Sequence, residues 1–298
     1  MGHVFRRSSG RGWRLRRRSM ELWPQWVGAL KIHQPELKLH RGLLQIAEDE
    51  QAAQRMEWLA AQRVELGLQT MTKADLTTVW PTATHGGLHS SDDGRIDPLL
   101  LQLALREALK EQSVELNATA VVRLERDNQR WRVHRTDGDS QIHDVVVLST
   151  ALTTDALLEP LGHARPMTPV LGQALSLQLE TGPTNWTNWP SVLVDQGFNL
   201  IPMSPGQLLL GATVEPGDCA SADPLILMRS LNERAPAWLR TATVVSHWSG
   251  LRARPVDRPA PLLEELEPGL ILASGHYRNG VLLAPATAEW VAAALEQP

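Results

Sequence analysis

Apolar residues recur at three- and four-residue intervals through much of the first third of the chain, and at alternate positions over much of the remainder. These periods are those of amphipathic helices and half-buried strands. Ala52, Met56, Leu59, Ala60 and Val64 keep helical spacing after Asp49-Glu50, so a helix is expected there, ending near Gly67. Ser19 can cap an earlier helix through Leu30, with Glu21 in its first turn, where the helix dipole favours an acid. Thr72 opens a short helix through Trp80, stopped by Pro81. Pro98 suits the first turn of a helix running to about Gln112. Between these, His85-Gly86-Gly87 and Ser90-Ser91-Asp92-Asp93-Gly94 read as turns.

The character then switches to strands. They are expected at Glu115–Glu125, Trp131–Arg135 and Ile142–Thr150, with turns at Asp127-Asn128 and Asp137-Gly138. Val145-Val146-Val147-Leu148 is continuously apolar, as expected of a strand covered on both faces in a parallel sheet. Leu175, Leu177 and Leu179 alternate with Ala174, Ser176 and Gln178, the pattern of a half-buried strand, and Ser204-Pro205-Gly206 marks a hairpin between Leu200–Met203 and Gln207–Thr213. Helices at about Asp155–Leu161 and Asp223–Arg234, strands at Thr243–Trp248 and Leu270–Ser274, and a final helix from about Ala286 complete the order. Interleaved this way, the elements suggest an α/β domain, α+β in its mixture, with an antiparallel-rich companion inserted into it.

The 298 residues give room for one large domain or two ordinary ones. With 43% hydrophobic and 21% charged residues the chain is globular in composition, and no stretch approaches the roughly 18 apolar residues of a membrane span. A net charge of −4 gives no footing for nucleic acid. Residues 1–18 hold Arg6, Arg7, Arg11, Arg14, Arg16, Arg17 and Arg18 and no acid. They read as a solvated, partly disordered basic segment, as the interior of a longer chain or, least favoured, as an arm for nucleic acid. The single Cys219 excludes an internal disulfide and a cysteine metal cage, and points to a reducing cytoplasm. No phosphate-binding GxxxxGK[ST], GxSxG elbow, HExxH, or GxGxxG after a strand is found, and no metal site is expected.

Two segments carry chemistry. Trp248-Ser249-Gly250-Leu251-Arg252 places an arginine near a strand end, and Ser274-Gly275-His276-Tyr277-Arg278-Asn279-Gly280-Val281-Leu282-Leu283-Ala284-Pro285 reads as a buried strand, a glycine-bearing polar loop and a helix. Such a loop offers free backbone N–H groups and a positive helix end, and Gly275 and Gly280 admit a flat ligand closely. Arg252 and Arg278 are suited to a carboxylate. A strand–turn–helix with surface arginines would carry the same residues.

These segments resemble the C-terminal signature of the D-amino-acid oxidase family of FAD enzymes, and most closely its glycine oxidase branch of thiamine biosynthesis. The likeness extends to Gly87-Leu88 and Asp93-Gly94-Arg95-Ile96-Asp97-Pro98, to Ala120-Val121-Val122-Arg123-Leu124, to Pro169-Val170-Leu171-Gly172-Gln173 and to Gly211-Ala212-Thr213. It implies an FAD-dependent oxidation of a small amino acid or amine by hydride transfer, with no acid or base assigned. Arg252 and Arg278 correspond to the arginines at the substrate carboxylate; Asn199 and Val214 stand where a tyrosine and a methionine line that site. Gly275, His276, Tyr277, Arg278, Asn279, Gly280, Val281 and Leu282 would lie along the flavin ring, and Val121 would meet the adenine. The resemblance further implies an incomplete Rossmann-like FAD-binding domain (95–165 and 245–298), lacking its first βαβ unit, interleaved with an antiparallel-sheet substrate domain (19–94 and 166–244). Thr150 and Leu152 depart from the family's glycine and tryptophan at a strand end. The alternatives are a family relic or partner-binding protein without FAD and, among enzymes, a D-amino-acid dehydrogenase or sarcosine oxidase type; the oligomeric state is left open.

Overall fold

The computed structural model describes residues 1–180 and 189–296, in two compact units. The first comprises residues 1–8, 38–97 and 171–251, the second 9–37, 98–170 and 252–298.

The first unit is built on a sheet ordered Glu215–Pro216, Met167–Gln178, Gln207–Gly211, Phe198–Ser204, Val192–Asp195, His40–Ile46, Gly87–Arg95, Leu68–Met71. Thr243–Pro255 pairs with Met167–Gln178 off that path. Neighbours are antiparallel where register is defined, except that His40–Ile46 and Val192–Asp195 run parallel, with Leu43 opposite Val192. Because side chains alternate across a strand, adjacent leucines serve different cores. Leu43 joins Met56, Leu59, Leu68 and Leu88, whereas Leu44 joins Trp80, Leu177, Leu200, Leu208 and Leu239. The helix Glu50–Gln62 is capped as expected, Asp49 accepting the Ala52 N–H at 2.6 Å, and it buries Ala52, Met56, Leu59 and Ala60. Val64 falls beyond its end and stays exposed. Thr72 and Asp75 form a capping box on Lys73–Thr77.

The turn expected at Ser90–Gly94 is instead part of the strand Gly87–Arg95. A Cβ on Gly94 would lie 1.9 Å from the His40 carbonyl oxygen, so this glycine answers to the close approach of two strands. Asp93 is buried and accepts the backbone N–H groups of Gly2, His3 and Val4 and the Ser90 hydroxyl. Arg63, buried opposite, donates to the carbonyls of His3, Phe5 and Arg7. The backbone of the first residues is therefore held at both its amides and its carbonyls and is ordered, while the Arg6 and Arg7 side chains are exposed, as expected.

In the second unit, Gly10–Leu30 and Gly280–Leu295 pack together as helices. The first begins nine residues before the expected cap at Ser19, inside the segment expected to be disordered. Its buried stripe, Trp13, Arg16, Ser19, Leu22, Trp23, Val27 and Leu30, places it in this unit rather than with residues 38–97. A three-stranded sheet is ordered Leu262–Glu267, Leu270–Ser274, Val146–Leu148, the last pair parallel. The strand Leu270–Ser274 is buried throughout. Val145 and Val147 are each 39% exposed while Leu148 is buried, so the run 145–148 is not covered on both faces; among the described residues Val146–Leu148 is also the end strand of its sheet. The expected strand Ile142–Thr150 is two strands, Ser140–His143 and Val146–Leu148, in different sheets, broken around Asp144, whose carbonyl abuts Gly269. The other small sheet is Val121–Asp127, Arg130–Arg135 and Ser140–His143, with Trp131 buried at its core.

Candidate functional site

Past the buried strand Leu270–Ser274 the chain bends sharply. Gly275 has φ +66 and Tyr277 φ +55. A Cβ on Gly275 would meet Pro255 Cγ at 2.7 Å and Met167 Cε at 3.3 Å, so only glycine lets the bend lie this close to its neighbours. The Arg254 guanidinium stands 5.9 Å from the centre of the Tyr277 ring, within cation–π range. Pro255 and Arg254 thus seat the end of the strand Thr243–Pro255 on the loop. Arg252 and Arg278 lie on the two segments so joined, Arg252 half-buried and Arg278 exposed.

The Asn279 N–H donates to the His276 carbonyl at 3.1 Å and closes the loop. The helix Gly280–Leu295 follows, six residues earlier than expected, so Val281 and Leu282 form its first turn instead of the loop. That turn carries no acid. Its N–H groups and the helix dipole give this end of the helix positive character. Gly280 and Val281 are exposed, and a Cβ on Gly280 would approach nothing nearer than His276 Cβ at 3.9 Å. His276 is pinned from the other side, its Nε2 2.9 Å from the Thr287 hydroxyl. Burial holds its imidazole below the usual histidine range, which favours the neutral ring.

Pro285 lies inside this helix, where it removes one backbone donor and crowds the preceding turn. The neighbouring helix Gly10–Leu30 supplies partners at the break. Trp23 Nε1 donates to the Leu282 carbonyl at 3.1 Å, and Ser19 Oγ accepts the Ala286 N–H at 3.3 Å. Arg16, 8% exposed, donates to Asn279 Oδ1 at 3.0 Å. Sequence reasoning missed all three. The available signal was the stripe from Trp13 to Leu30 at helical spacing.

Val121 opens its strand at 38% exposure. In the first unit, Asn199 Nδ2 donates to the Gly211 carbonyl across the hairpin at 3.1 Å. Val214 is 45% exposed between two buried anchors. One is Thr213, whose hydroxyl accepts the Gln173 N–H at 2.7 Å; the other is Glu215, which accepts from Thr213, from Gln173 Nε2 at 2.9 Å and from the Ser221 N–H at 2.8 Å. This polar knot holds the backbone while Val214 faces outward.

A family model described as FAD dependent oxidoreductase matches residues 1–294. The chain belongs to that family. It is similar to the glycine oxidase of Bacillus subtilis, 30% identical over 207 residues, covering 68% of this chain and 54% of that protein. A "Bifunctional protein ThiO/ThiG" of Synechocystis is 32% identical over 209 residues, 68% of this chain and 31% of that protein. The chain thus spans about half the length of the first and a third of the second. The crystal structure of glycine oxidase from Geobacillus kaustophilus superposes with a TM-score of 0.82 at 24% identity, over 96% of this chain and 79% of that one, a likeness of fold. The mixed α/β architecture expected from the sequence is the fold of this family. Among the described residues no helix is long and apolar enough to cross a membrane.

The residues present fit the flavin-ring part of FAD. The space expected for a flat ring beside Gly275 is taken by Pro255 and Met167, whereas Gly280 and Val281 leave the helix start open, and an acid-free first turn beside a buried guanidinium favours an electron-rich edge there.

Proposed function

We propose that this chain carries the flavin-seating and substrate-anchoring part of an FAD-dependent oxidoreductase that oxidises a small amino acid or amine to an imine. The observation that carries this reading is the joining of two arginine-bearing segments at one loop, through Pro255 on Gly275 and Arg254 on Tyr277, next to an uncapped helix start. FAD, when bound, supplies the acceptor for the hydride leaving the amine-bearing carbon. Residues 275–282 would line its ring, and Val121 its adenine.

Arg252 and Arg278 would grip the substrate carboxylate through charge-assisted hydrogen bonds, which fix the reacting carbon without a protein acid or base. Asn199 and Val214 belong to the same proposal on the substrate side. The hydroxyl of a tyrosine is missing at 199 and Val214 is shorter than a methionine, so the acid accepted need not be glycine. The bifunctional relative supports a place in thiamine biosynthesis, and the lone exposed Cys219 supports a reducing, cytoplasmic setting.

The test is direct. Purified chain supplied with FAD should retain a yellow chromophore, and anaerobic addition of glycine, sarcosine, D-alanine or D-proline should bleach it. Arg252→Ala should raise KM tenfold or more for every carboxylate substrate, the loss of about 1.4 kcal/mol or more from a charge-assisted pair. A colourless protein defeats the proposal; an unchanged KM removes Arg252 from the site.

A further inference from the structure

We infer that Arg16 is a positioning residue: it draws the Asn279 side chain off its own helix and so keeps the first-turn amides of Gly280–Leu295 open to the electron-rich pyrimidine edge of a flavin. The ligand in this inference rests on the flavin seat proposed above.

An asparagine at a helix N-cap ordinarily turns its side-chain oxygen onto the N–H of the second or third helical residue. Asn279 occupies the N-cap of Gly280–Leu295 and makes no such bond. Its Oδ1 instead accepts from Arg16 Nη1 at 3.0 Å. A guanidinium offers donors only, so Asn279 must present its oxygen to it, and that oxygen is the one atom able to cap the helix. The first bond along the helix is from the Leu283 N–H to the Asn279 carbonyl at 2.9 Å, so the amides of Gly280, Val281 and Leu282 precede it. Gly280 and Val281 are also exposed.

The placement of Arg16 is costly in itself. It sits on the buried stripe of Gly10–Leu30, 8% exposed, with its positive charge beside the positive end of another helix. A positive charge at this helix start would favour an electron-rich ring seated there, most of all when the ring is reduced.

Two variants of the full chain separate orientation from charge. Arg16→Met removes both, and Arg16→Gln keeps a donor toward Asn279 without charge. Hydrogen exchange should slow about tenfold at residue 281 or 282 in Arg16→Met, as Asn279 swings back to cap the helix, and stay at the parent rate in Arg16→Gln. FAD titration, followed by flavin fluorescence, should show affinity falling several-fold in Arg16→Met. The two-electron potential of bound flavin should drop in both variants, by about 30 mV for each tenfold lost in the preference for the reduced form.

A merely structural role would lower the unfolding midpoint and leave exchange at 281 and 282 and the potential where they were. If Arg16→Met does not fold, the potential of Arg16→Gln still decides. A parent chain that takes up no FAD overturns the flavin seat and the ligand named here. A parent that binds FAD, with variants matching it in exchange, affinity and potential, overturns the inference alone.

Discussion

Gly275, in the bend, and Gly280, at the helix start, lie five residues apart, and the structure assigns them opposite tolerance for a methyl group. Ala at 275 must adopt φ +66, which costs an L-residue about 1–2 kcal/mol. It must also place Cβ 2.7 Å from Pro255 Cγ and 3.3 Å from Pro255 Cδ. Pro255 is buried at the end of a strand and its ring is closed, so it yields little; overpacking of this kind costs about 1–3 kcal/mol. Together, Gly275→Ala should lower stability by about 2–5 kcal/mol. Gly280→Ala meets nothing within 3.9 Å and starts a helix, where alanine gains up to about 1 kcal/mol over glycine. Urea unfolding of the two variants, at unchanged denaturant slope, measures the difference. Gly275→Ala within 0.5 kcal/mol of the parent (roughly the scatter of a surface change), or equal shifts in both variants, would refute the described bend.

Three further outcomes follow from buried groups. Burial holds the His276 imidazole below the usual 6.5, so the folded state resists its protonation: stability is full above that pH and declines as pH falls, by at most about 1.4 kcal/mol per pH unit for this group. His276→Gln should flatten the decline between pH 6.5 and 5 in urea titrations, leaving the like-signed parts of His40 and His89. Asp195 has the opposite sign. Burial raises its carboxyl above 3.8 although Trp80 Nε1 donates to it at 2.8 Å, so it weakens the fold as pH rises through that range. Asp195→Asn keeps an acceptor for the indole and should match or exceed the parent at pH 7 by up to about 2 kcal/mol, with less change between pH 4 and 7; a loss at pH 7 would contradict this. Arg63→Met strips charged donors from the carbonyls of Phe5 and Arg7, 2.6 and 3.1 Å away, and should cost about 2–4 kcal/mol. Trypsin should then cut first at Arg6 or Arg7; cleavage elsewhere first would show that Arg63 does not hold this segment.

What could be read along the chain was local. The buried strand Leu270–Ser274, the glycine bend and the helix after it announce themselves within a dozen residues, as do the Asp49 and Thr72 caps. The start of the last helix was misplaced because Pro285 reads as a first-turn proline. It sits instead in the second turn, and Trp23 and Ser19 supply side-chain partners there from some 260 residues away in sequence. At the Arg-rich start the helix and the burial of Arg16 were missed for the same reason, while Arg6, Arg7, Arg11, Arg14, Arg17 and Arg18 are exposed as expected. Arginine is ordinarily a solvated residue, and Arg16 and Ser19 interrupt the head of the stripe, so that its apolar period is plain from Leu22 through Trp23 and Val27 to Leu30 and not before. Its polar members are buried because their partners, Asn279 and Ala286, stand on the other helix. Asp93-Gly94 shows the converse: two turn-forming residues lie inside a central strand, the aspartate because three amides of the first residues need an acceptor, the glycine because His40 passes too close for a side chain. In each case a polar or small residue is fixed by a partner distant in sequence. These long-range partners, absent from any local period, also set the electrostatics of the helix start on which the proposed flavin seat depends.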